Sequence, residues 1–311
     1  MPIDVESLLA EIGPESPCGE DLTYDASYLE LERAAQGTPE QQVGETVVQA
    51  EEPNWREVRS QAIELLGRTK ELRLVLYLAL SLLKLEGVPG LRDGLAVLRG
   101  VLERYWDTVH PQLDADDDYD PLERVNIIAS LSPPPDTYGD PMMFLQRLRE
   151  APLCDSKQLG KYSLRDILIA RGDITPTDTS QQPVQLSVIE AAFQDTDVEV
   201  LQATAAAAAE AHEHMAIIDS VLTQYVGVSR VPNLGELQGM LKEIRAVVED
   251  FLTRGGEGAG LGAGGEVVPS PGAAPAGQAL SGEVRSPEDV IRGRKSYTGK
   301  FLRRKLNGKA G

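Results

Sequence analysis

The sequence has few cysteines, few aromatic residues and no excess of positive charge, and each shortage excludes a class of protein. Its 311 residues include only 2 cysteines, Cys18 and Cys154, which cannot build a disulfide framework. We therefore expect a reducing compartment, the cytoplasm. Lys and Arg total 30 against 49 Asp and Glu, a formal net charge of −19. Because nucleic acids and anionic membranes require a basic face, this balance argues against both as partners.

Features of membrane and secreted proteins are also missing. The first residues, Met-Pro-Ile-Asp-Val-Glu, lack the basic and apolar regions of a signal peptide. The most apolar stretch, Leu72–Leu85, is interrupted by Arg73, Lys84 and Glu86 around its ends and is shorter than the roughly 20 apolar residues that span a bilayer. A helix that is apolar on all sides must be buried, so we predict the central helix of a helical domain and no membrane insertion.

The residues that are abundant favour helices. Aromatic residues make up 5% of the chain, whereas leucine and alanine are frequent. We predict an all-α fold with a multi-helix N-terminal domain over residues 1–135, a polar surface excursion at 38–53, and a central helix that ends at 87–90. The next helix covers 91–105. Helix N-caps are predicted at Asp4, Asp25, Asn54, Thr69 and Asp120, the last followed by Pro121.

A middle helical domain is predicted over residues 136–254. It begins with a short helix at Pro141–Arg149, followed by Ser163–Ala170, which fits a helix or a strand, and by a capping box at Ser187 and Glu190. Apolar residues then recur at alternating steps of three and four from Asp197 to Tyr225. The same rhythm continues after Asn233. This pattern predicts a long antiparallel helical hairpin.

The composition changes twice near the end of the chain. Residues 255–282 consist mainly of Gly, Ala and Pro, which predicts a disordered linker. From Arg292 onward the chain carries eight basic side chains, and residues 283–311 contain no acid after Asp289, which predicts a mobile basic tail.

An acidic loop at Asp114–Asp120 raises the question of a metal site. Asp114, Asp116 and Asp118 match the first, third and fifth positions of a calcium loop. The sixth position requires glycine and is Tyr119, and the twelfth requires glutamate and is Val125. We therefore predict a solvated loop that holds no metal.

The sequence contains no convincing catalytic group of residues. His110 precedes a proline beside Trp106 and is interpreted as a packed turn residue, with Trp106 as an aromatic plug against the core. His212 and His214 lie on different faces of one helix, and Cys18 has no marked histidine partner. We predict no catalytic, cofactor-binding or metal-binding residues. A metal-dependent hydrolase using His110 and the Asp114–Asp120 loop is the alternative from another class.

Five blocks of sequence carry a family resemblance. They are Ser16–Leu22 with Tyr24-Asp25, Glu52–Val58, Arg68–Arg73, Gly87–Leu91, and Tyr105–Asp107 continued by His110–Asp114. In this order they resemble the ImpA-type N-terminal domain of TssA proteins, components of bacterial type VI secretion systems. The resemblance covers about residues 5–131 closely and the middle region loosely.

The resemblance implies a cytoplasmic scaffold without enzymatic activity or cofactor. Its partners would be the baseplate, the contractile sheath and the inner tube of the secretion system. Separately, the predicted helical hairpin could pair with a copy of itself, and a dimer is the largest assembly we expect. TssA proteins typically form rings through a C-terminal helical domain, and Val284–Arg292 resembles the opening of that domain. Because the pattern then stops, we expect a truncated or frame-shifted C-terminal domain at 283–311. The alternative is a generic cytoplasmic helical adaptor.

Overall fold

A computed structural model describes residues 3–37, 41–43, 46–48, 51–133, 140, 142–176 and 182–259. The helices are α1 (Val5–Leu8), α2 (Ala26–Gln36), α3 (Trp55–Leu66), α4 (Leu72–Tyr105), α5 (Leu122–Ala129), α6 (Phe144–Arg149), α7 (Leu164–Arg171), α8 (Leu186–Asp195), α9 (Val198–Val226) and α10 (Gly235–Ala259). Two short antiparallel strands, β1 (Gln41–Val43) and β2 (Thr46–Val48), form a ribbon within the predicted surface excursion. Apart from this ribbon the fold is all-α, as predicted. From residue 260 onward, the predicted linker and tail lie outside the described residues.

The central helix α4 is two arms that fold back on each other at Gly87. This glycine has φ +68° and ψ −148°, a conformation that a helix cannot contain and that favours glycine. A Cβ atom at Gly94 would lie only 2.6 Å from the Cβ of Ala79, so the arms approach closely at this point. A Cβ atom at Gly90 would likewise collide with the carbonyl oxygen of Leu82. The predicted break is confirmed, but the second arm starts at once and contains Pro89 and Gly90.

By length and composition, α4 could cross a membrane, yet the structure places it in the core. Some 67% of its most apolar window is buried inside the protein. The reversal at Gly87 divides the helix into arms of 72–86 and 88–105, each about 22–27 Å long at 1.5 Å per residue. Neither arm alone matches the roughly 30 Å hydrocarbon thickness of a bilayer. The prediction of a buried central helix is confirmed.

The other long helices are arranged around α4. Both α3 and α9 pack along it, α2 packs on α3, and α10 packs on α9. The predicted hairpin is confirmed as α9 and α10, joined at 227–234. One hydrophobic core continues across residue 135, and the described residues belong to a single compact unit. The division into domains at 135 and 254 stays a prediction, although α10 continues five residues past 254 to Ala259.

Several predicted helix starts are confirmed and one ambiguity is resolved. The Asp4 carboxylate accepts a hydrogen bond from the Ser7 N–H, and the Asp25 carboxylate accepts one from Ser27. The segment that fitted a helix or a strand is α7, because Ser163 forms a capping box with Asp166. These starts could be predicted because a short polar side chain precedes each apolar pattern.

Other predicted starts are wrong by one to three residues. Glu71 rather than Thr69 caps α4, since the Glu71 carboxylate accepts from the Leu74 N–H at 2.8 Å. Pro121 itself occupies the cap position of α5. The capping box at Ser187 and Glu190 does not form, because α8 already begins at Leu186. The short helix predicted from Pro141 begins at Phe144. By contrast, Asn54 does occupy the predicted cap position of α3, although its side chain makes no capping hydrogen bond.

Candidate functional site

Three of the five resemblance blocks meet at one junction. The Lys70 N–H donates to the Cys18 carbonyl at 2.7 Å, and the His110 N–H donates to the Lys70 carbonyl at 2.9 Å. The Leu72 N–H in turn donates to the His110 carbonyl at 3.0 Å. Lys70 is thus hydrogen-bonded through its backbone to two segments that lie 92 positions apart in the sequence. These blocks hold the N-terminal region together around the start and end of α4.

Side chains close the junction tightly. Gly19 has φ +71°, and a Cβ atom there would collide with the Arg68 carbonyl, so the position requires glycine. The Thr69 hydroxyl donates to the Glu20 carbonyl at 2.7 Å. The His110 ring is 3% exposed, and its Nε2 lies 3.2 Å from the Gly19 carbonyl oxygen. The structure therefore places His110 in a buried, hydrogen-bonded turn, where its cis bond to Pro111 also lies.

Two buried cations near the junction, Lys70 and Arg124, were not predicted from the sequence. Lys70 Nζ donates to the Leu66 carbonyl at 2.8 Å, and burial lowers the pKa of this amine. Arg124 donates to the carbonyl oxygens of Pro111 and Val109, each at 2.7 Å, and to that of Trp106. Burial lowers the Arg124 pKa to about 10. Both cations lie at helix C-termini, where carbonyl groups lack partners within the helix.

The Glu71 carboxyl is also buried and connects three helices. It accepts hydrogen bonds from the Leu74 N–H at 2.8 Å and from the Tyr28 hydroxyl at 3.2 Å, which joins α2 to α4. Arg73 lies 3.7 Å away and reaches Glu123 of α5 at 2.7 Å. Burial raises the pKa of Glu71 to about 7. Within the run Arg68–Arg73, the sequence predicted only a helix start at Thr69 and part of the family resemblance, because hydrophobic periodicity assigns charged residues such as Glu71 to the surface.

Trp106 lies at the end of α4 and is 5% exposed. Its indole stacks on the Tyr225 ring of α9, with centroids 4.6 Å apart, and the Arg124 guanidinium carbon lies 5.1 Å from its centroid. The buried position agrees with the predicted plug. The sequence alone did not indicate that the partner ring belongs to the helical hairpin.

The acidic loop forms a tight, exposed turn. The Asp114 carboxylate accepts from the Asp116 N–H at 2.8 Å and caps a 3₁₀ turn at Ala115–Asp117. Asp118 and Tyr119 follow with φ of +49° and +56°. Asp120 lies 3.6 Å from Arg230 of the hairpin connection. Within the described part of the chain, no group of three His, Cys, Asp or Glu side chains is placed to hold a metal ion.

The remaining histidines lie on α9, and the two cysteines lie outside the helices. His212 and His214 are on α9, and burial lowers the pKa of both rings. Cys18 Sγ lies 3.2 Å from the Thr108 hydroxyl, and burial raises the pKa of its thiol. Burial also raises the Cys154 pKa to about 11. Because a thiolate is the reactive form, both cysteines have the character of structural thiols.

Two surface chambers flank the exposed side of α5. The first, called the apolar chamber, has a volume of about 390 Å³ and is lined by Leu76, Tyr77, Ile127 and Met142, with Arg73 and Ser130 also present. The second, called the acidic chamber, has a volume of about 790 Å³, and its carboxylates come from Asp21, Asp114, Asp117, Asp120 and Glu123. Glu123 and Asn126 line both. This arrangement is suited to binding and was not predicted from the sequence.

Comparisons with known proteins agree with this architecture. The family described as ImpA, N-terminal, type VI secretion system matches residues 9–133. Type VI secretion system component TssA1 of Pseudomonas aeruginosa is 41% identical over 298 residues, which cover 93% of this chain and 83% of the relative.

A solved structure is similar as well. It is the N-terminal domain, including the conserved ImpA_N region, of the TssA component of the type VI secretion system from Burkholderia cenocepacia. The TM-score is 0.64 at 25% identity, covering 82% of this chain and 96% of that one. The match extends beyond the first 133 residues into the helical hairpin region, and the relative above is matched over nearly the whole chain. The chain therefore belongs to the TssA family of type VI secretion system components.

Proposed function

We propose that this protein is a non-enzymatic scaffold that acts in the cytoplasm with the baseplate, the contractile sheath and the inner tube of the secretion system. The observation that carries the proposal is the 41% identity to a TssA component across 93% of the chain. Because identity at this level extends over most of the described helices, the assembly role of the family applies to the whole unit.

The chemistry of the buried polar groups supports a role without catalysis. Arg124 and Lys70 donate their hydrogen bonds to backbone carbonyls, and Cys18 and Cys154 have raised pKa values. Groups used in this way stabilise the fold and are not exposed to a substrate. General acid–base catalysis would instead require a titratable group within hydrogen-bond reach of a bound substrate.

The surface supports a cytoplasmic protein that binds other proteins. The formal charge of −19 disfavours nucleic acid and anionic lipid as partners. The apolar helix α4 is mostly buried in the fold and is therefore not available to a bilayer. Exposed apolar side chains include Leu122 at 57%, which lines the acidic chamber, and Tyr119 at 61% in the acidic loop.

Retention on purified secretion components tests the proposal. The full chain is immobilised, and the sheath, tube and baseplate proteins of the same organism are passed over it one at a time. We expect at least one of them to be retained at physiological salt. The chain unfolded at low pH and coupled to the same resin is the control for non-specific adsorption. Retention of none of the components would favour a generic adaptor and contradict the proposal.

A further inference from the structure

Helix α5 presents an outer face that no other described element covers. The Leu122 side chain is 57% exposed, and that of Glu123 is 59% exposed. Asn126, one turn further along, is exposed as well. Since Glu123 and Asn126 line both chambers, this face is a ridge with a depression on either side. A segment lying across the ridge would contact both chambers at once.

The apolar chamber is suited to a large apolar side chain. Leu76, Ile127 and Met142 provide its apolar walls, and its volume of about 390 Å³ is within the range of ligand pockets. The one cation in its lining, Arg73, donates to Glu123 at 2.7 Å and lies near Glu71. Its charge is therefore compensated within the protein. Burial of an apolar surface here is favourable because water is displaced from it.

The acidic chamber is suited to positive charge. Five carboxylates line about 790 Å³, and one of them, Glu123, is paired with Arg73, which leaves four aspartates. The cation in the chamber wall, Arg124, is buried and donates to backbone carbonyls. Arg230 approaches Asp120 only at 3.6 Å. A calcium ion requires several oxygen ligands at about 2.3–2.6 Å, and no three His, Cys, Asp or Glu side chains among the described residues are placed to hold a metal ion. Lysine or arginine on a flexible stem fits a chamber of this volume.

We propose that the two chambers together dock a segment of a partner protein in which a large apolar side chain and at least two Lys or Arg residues share one face. The apolar side chain enters the apolar chamber, the cations enter the acidic chamber, and the segment crosses α5 at Asn126. The choice of a protein rather than a lipid follows from charge, because the acidic rim repels anionic headgroups. This inference rests on the proposed function, since the partner is a component of the same machinery.

Peptide binding by the full chain tests the docking surface. The probes are fluorescein-labelled 12-residue peptides with one leucine and two arginines, at spacings of three to seven residues, and anisotropy reports the Kd. We expect at least one spacing to bind, with affinity that falls as salt rises. Replacing its arginines by glutamate should abolish binding, and replacing its leucine by serine should weaken binding about fivefold. Binding by none of the peptides would overturn the proposal.

A matched pair of variants separates this site from general attraction to an acidic protein. Asp117→Asn/Asp120→Asn removes two charges that line the acidic chamber, and Asp116→Asn/Asp118→Asn removes two from the same loop that do not. The first variant should weaken binding about fivefold more than the second. A separate variant, Asn126→Lys, adds a cation at the crossing point and should weaken peptide binding more than either double variant does. Equal losses in the two double variants would show non-specific electrostatics and overturn the proposal.

The same variants distinguish a failure here from a failure of the proposed function. If secretion components are retained equally by the parent chain and by Asn126→Lys, the chain is a scaffold that uses another surface, and the docking inference is wrong. If peptides bind as described but no secretion component is retained, the docking surface exists and the proposed function is wrong.

Discussion

The indole of Trp106 and the ring of Tyr225 lie face to face, with centroids 4.6 Å apart and planes inclined by 10°. Trp106 follows the last residue of α4, and Tyr225 lies in the last turn of α9. The Arg124 guanidinium also lies near the indole, at 5.1 Å, and donates to the Trp106 carbonyl. The end of the central helix is thus fixed to the helical hairpin by one aromatic pair and one cation.

The first prediction concerns this pair. Trp106→Ala should lower the free energy of unfolding by roughly 3–5 kcal/mol, because a large buried ring leaves a cavity. Tyr225→Ala should cost less, since the Tyr225 side chain is 42% exposed. Urea unfolding followed by circular dichroism measures both.

A double-mutant cycle supplies the control for this prediction. The coupling energy between Trp106 and Tyr225 should be about 0.5–1.5 kcal/mol, the typical value for stacked aromatic pairs. Tyr225→Phe keeps the ring and should retain most of this coupling energy. Additive effects of the two alanine substitutions would show that the stack contributes nothing beyond burial.

A second prediction concerns the close approach of the arms of α4. Gly94→Ala should destabilise the protein by about 1–3 kcal/mol, because the added methyl would lie 2.6 Å from the Cβ of Ala79. Gly239→Ala in α10 is the matched control, since a Cβ atom there meets nothing within 4 Å. That change should stabilise the protein by about 0.5–1 kcal/mol through helix propensity. Thermal melts of the two variants should therefore shift in opposite directions.

The third prediction is a pH dependence caused by Glu71. Burial raises its pKa from 4.5 to about 7, so the folded state holds this proton more tightly than the unfolded state. The stability that this group contributes is complete below pH 4.5 and is lost as pH rises to about 7. The loss is on the order of 3 kcal/mol at 1.36 kcal/mol per pKa unit. Urea midpoints between pH 5 and pH 8 measure it.

Glu71→Gln isolates this contribution from other titrating groups. The amide cannot ionise, and its oxygen can still accept from the Leu74 N–H and the Tyr28 hydroxyl. The variant should be more stable than the parent at pH 8, with a difference that shrinks towards pH 5. A difference that is constant across this range would mean that Glu71 keeps its charge throughout.

The fourth prediction is that the acidic loop binds no structural metal. A bound ion would add about 2.7 kcal/mol of stability at a hundredfold excess over its Kd. Melting curves in excess calcium and in chelator should coincide. Asp114→Asn keeps the acceptor for the Asp116 N–H, and the melting curves of this variant in calcium and in chelator should also coincide. A midpoint several degrees higher in calcium would contradict the prediction.

Local patterns predicted the helical part of the fold well. The apolar run of α4, the break at Gly87 and the hairpin α9/α10 follow from hydrophobic periodicity and from glycine, which are properties of neighbouring residues. Asp4 and Asp25 were recognised as caps for the same reason. Thr69 was misassigned because its hydroxyl is hydrogen-bonded to the distant Glu20 carbonyl, a contact that no local pattern indicates.

The candidate site could not be predicted in the same way. Its chambers form between α4, α5 and the acidic loop, so their existence depends on tertiary packing. Arg124 would be assigned to the surface by its charge, yet it is 1% exposed, because carbonyl oxygens at the end of α4 accept hydrogen bonds from its guanidinium. Only the acidity of the loop was visible in the sequence, and acidity alone does not define a cleft.

The reversal of α4 at Gly87 also has a consequence for the order of folding. The contacts between the arms pair residues 82 with 90 and 79 with 94, and beyond α4 the backbone joins 72 to 110. Each pair encloses the previous one, so every step closes only a short additional loop and costs little chain entropy. We expect the arms to associate early, starting at the turn and proceeding outward, and the long-range contacts of α9 to follow. In this order, the junction of Cys18, Lys70 and His110 closes only after the hairpin within α4 has brought its two ends together.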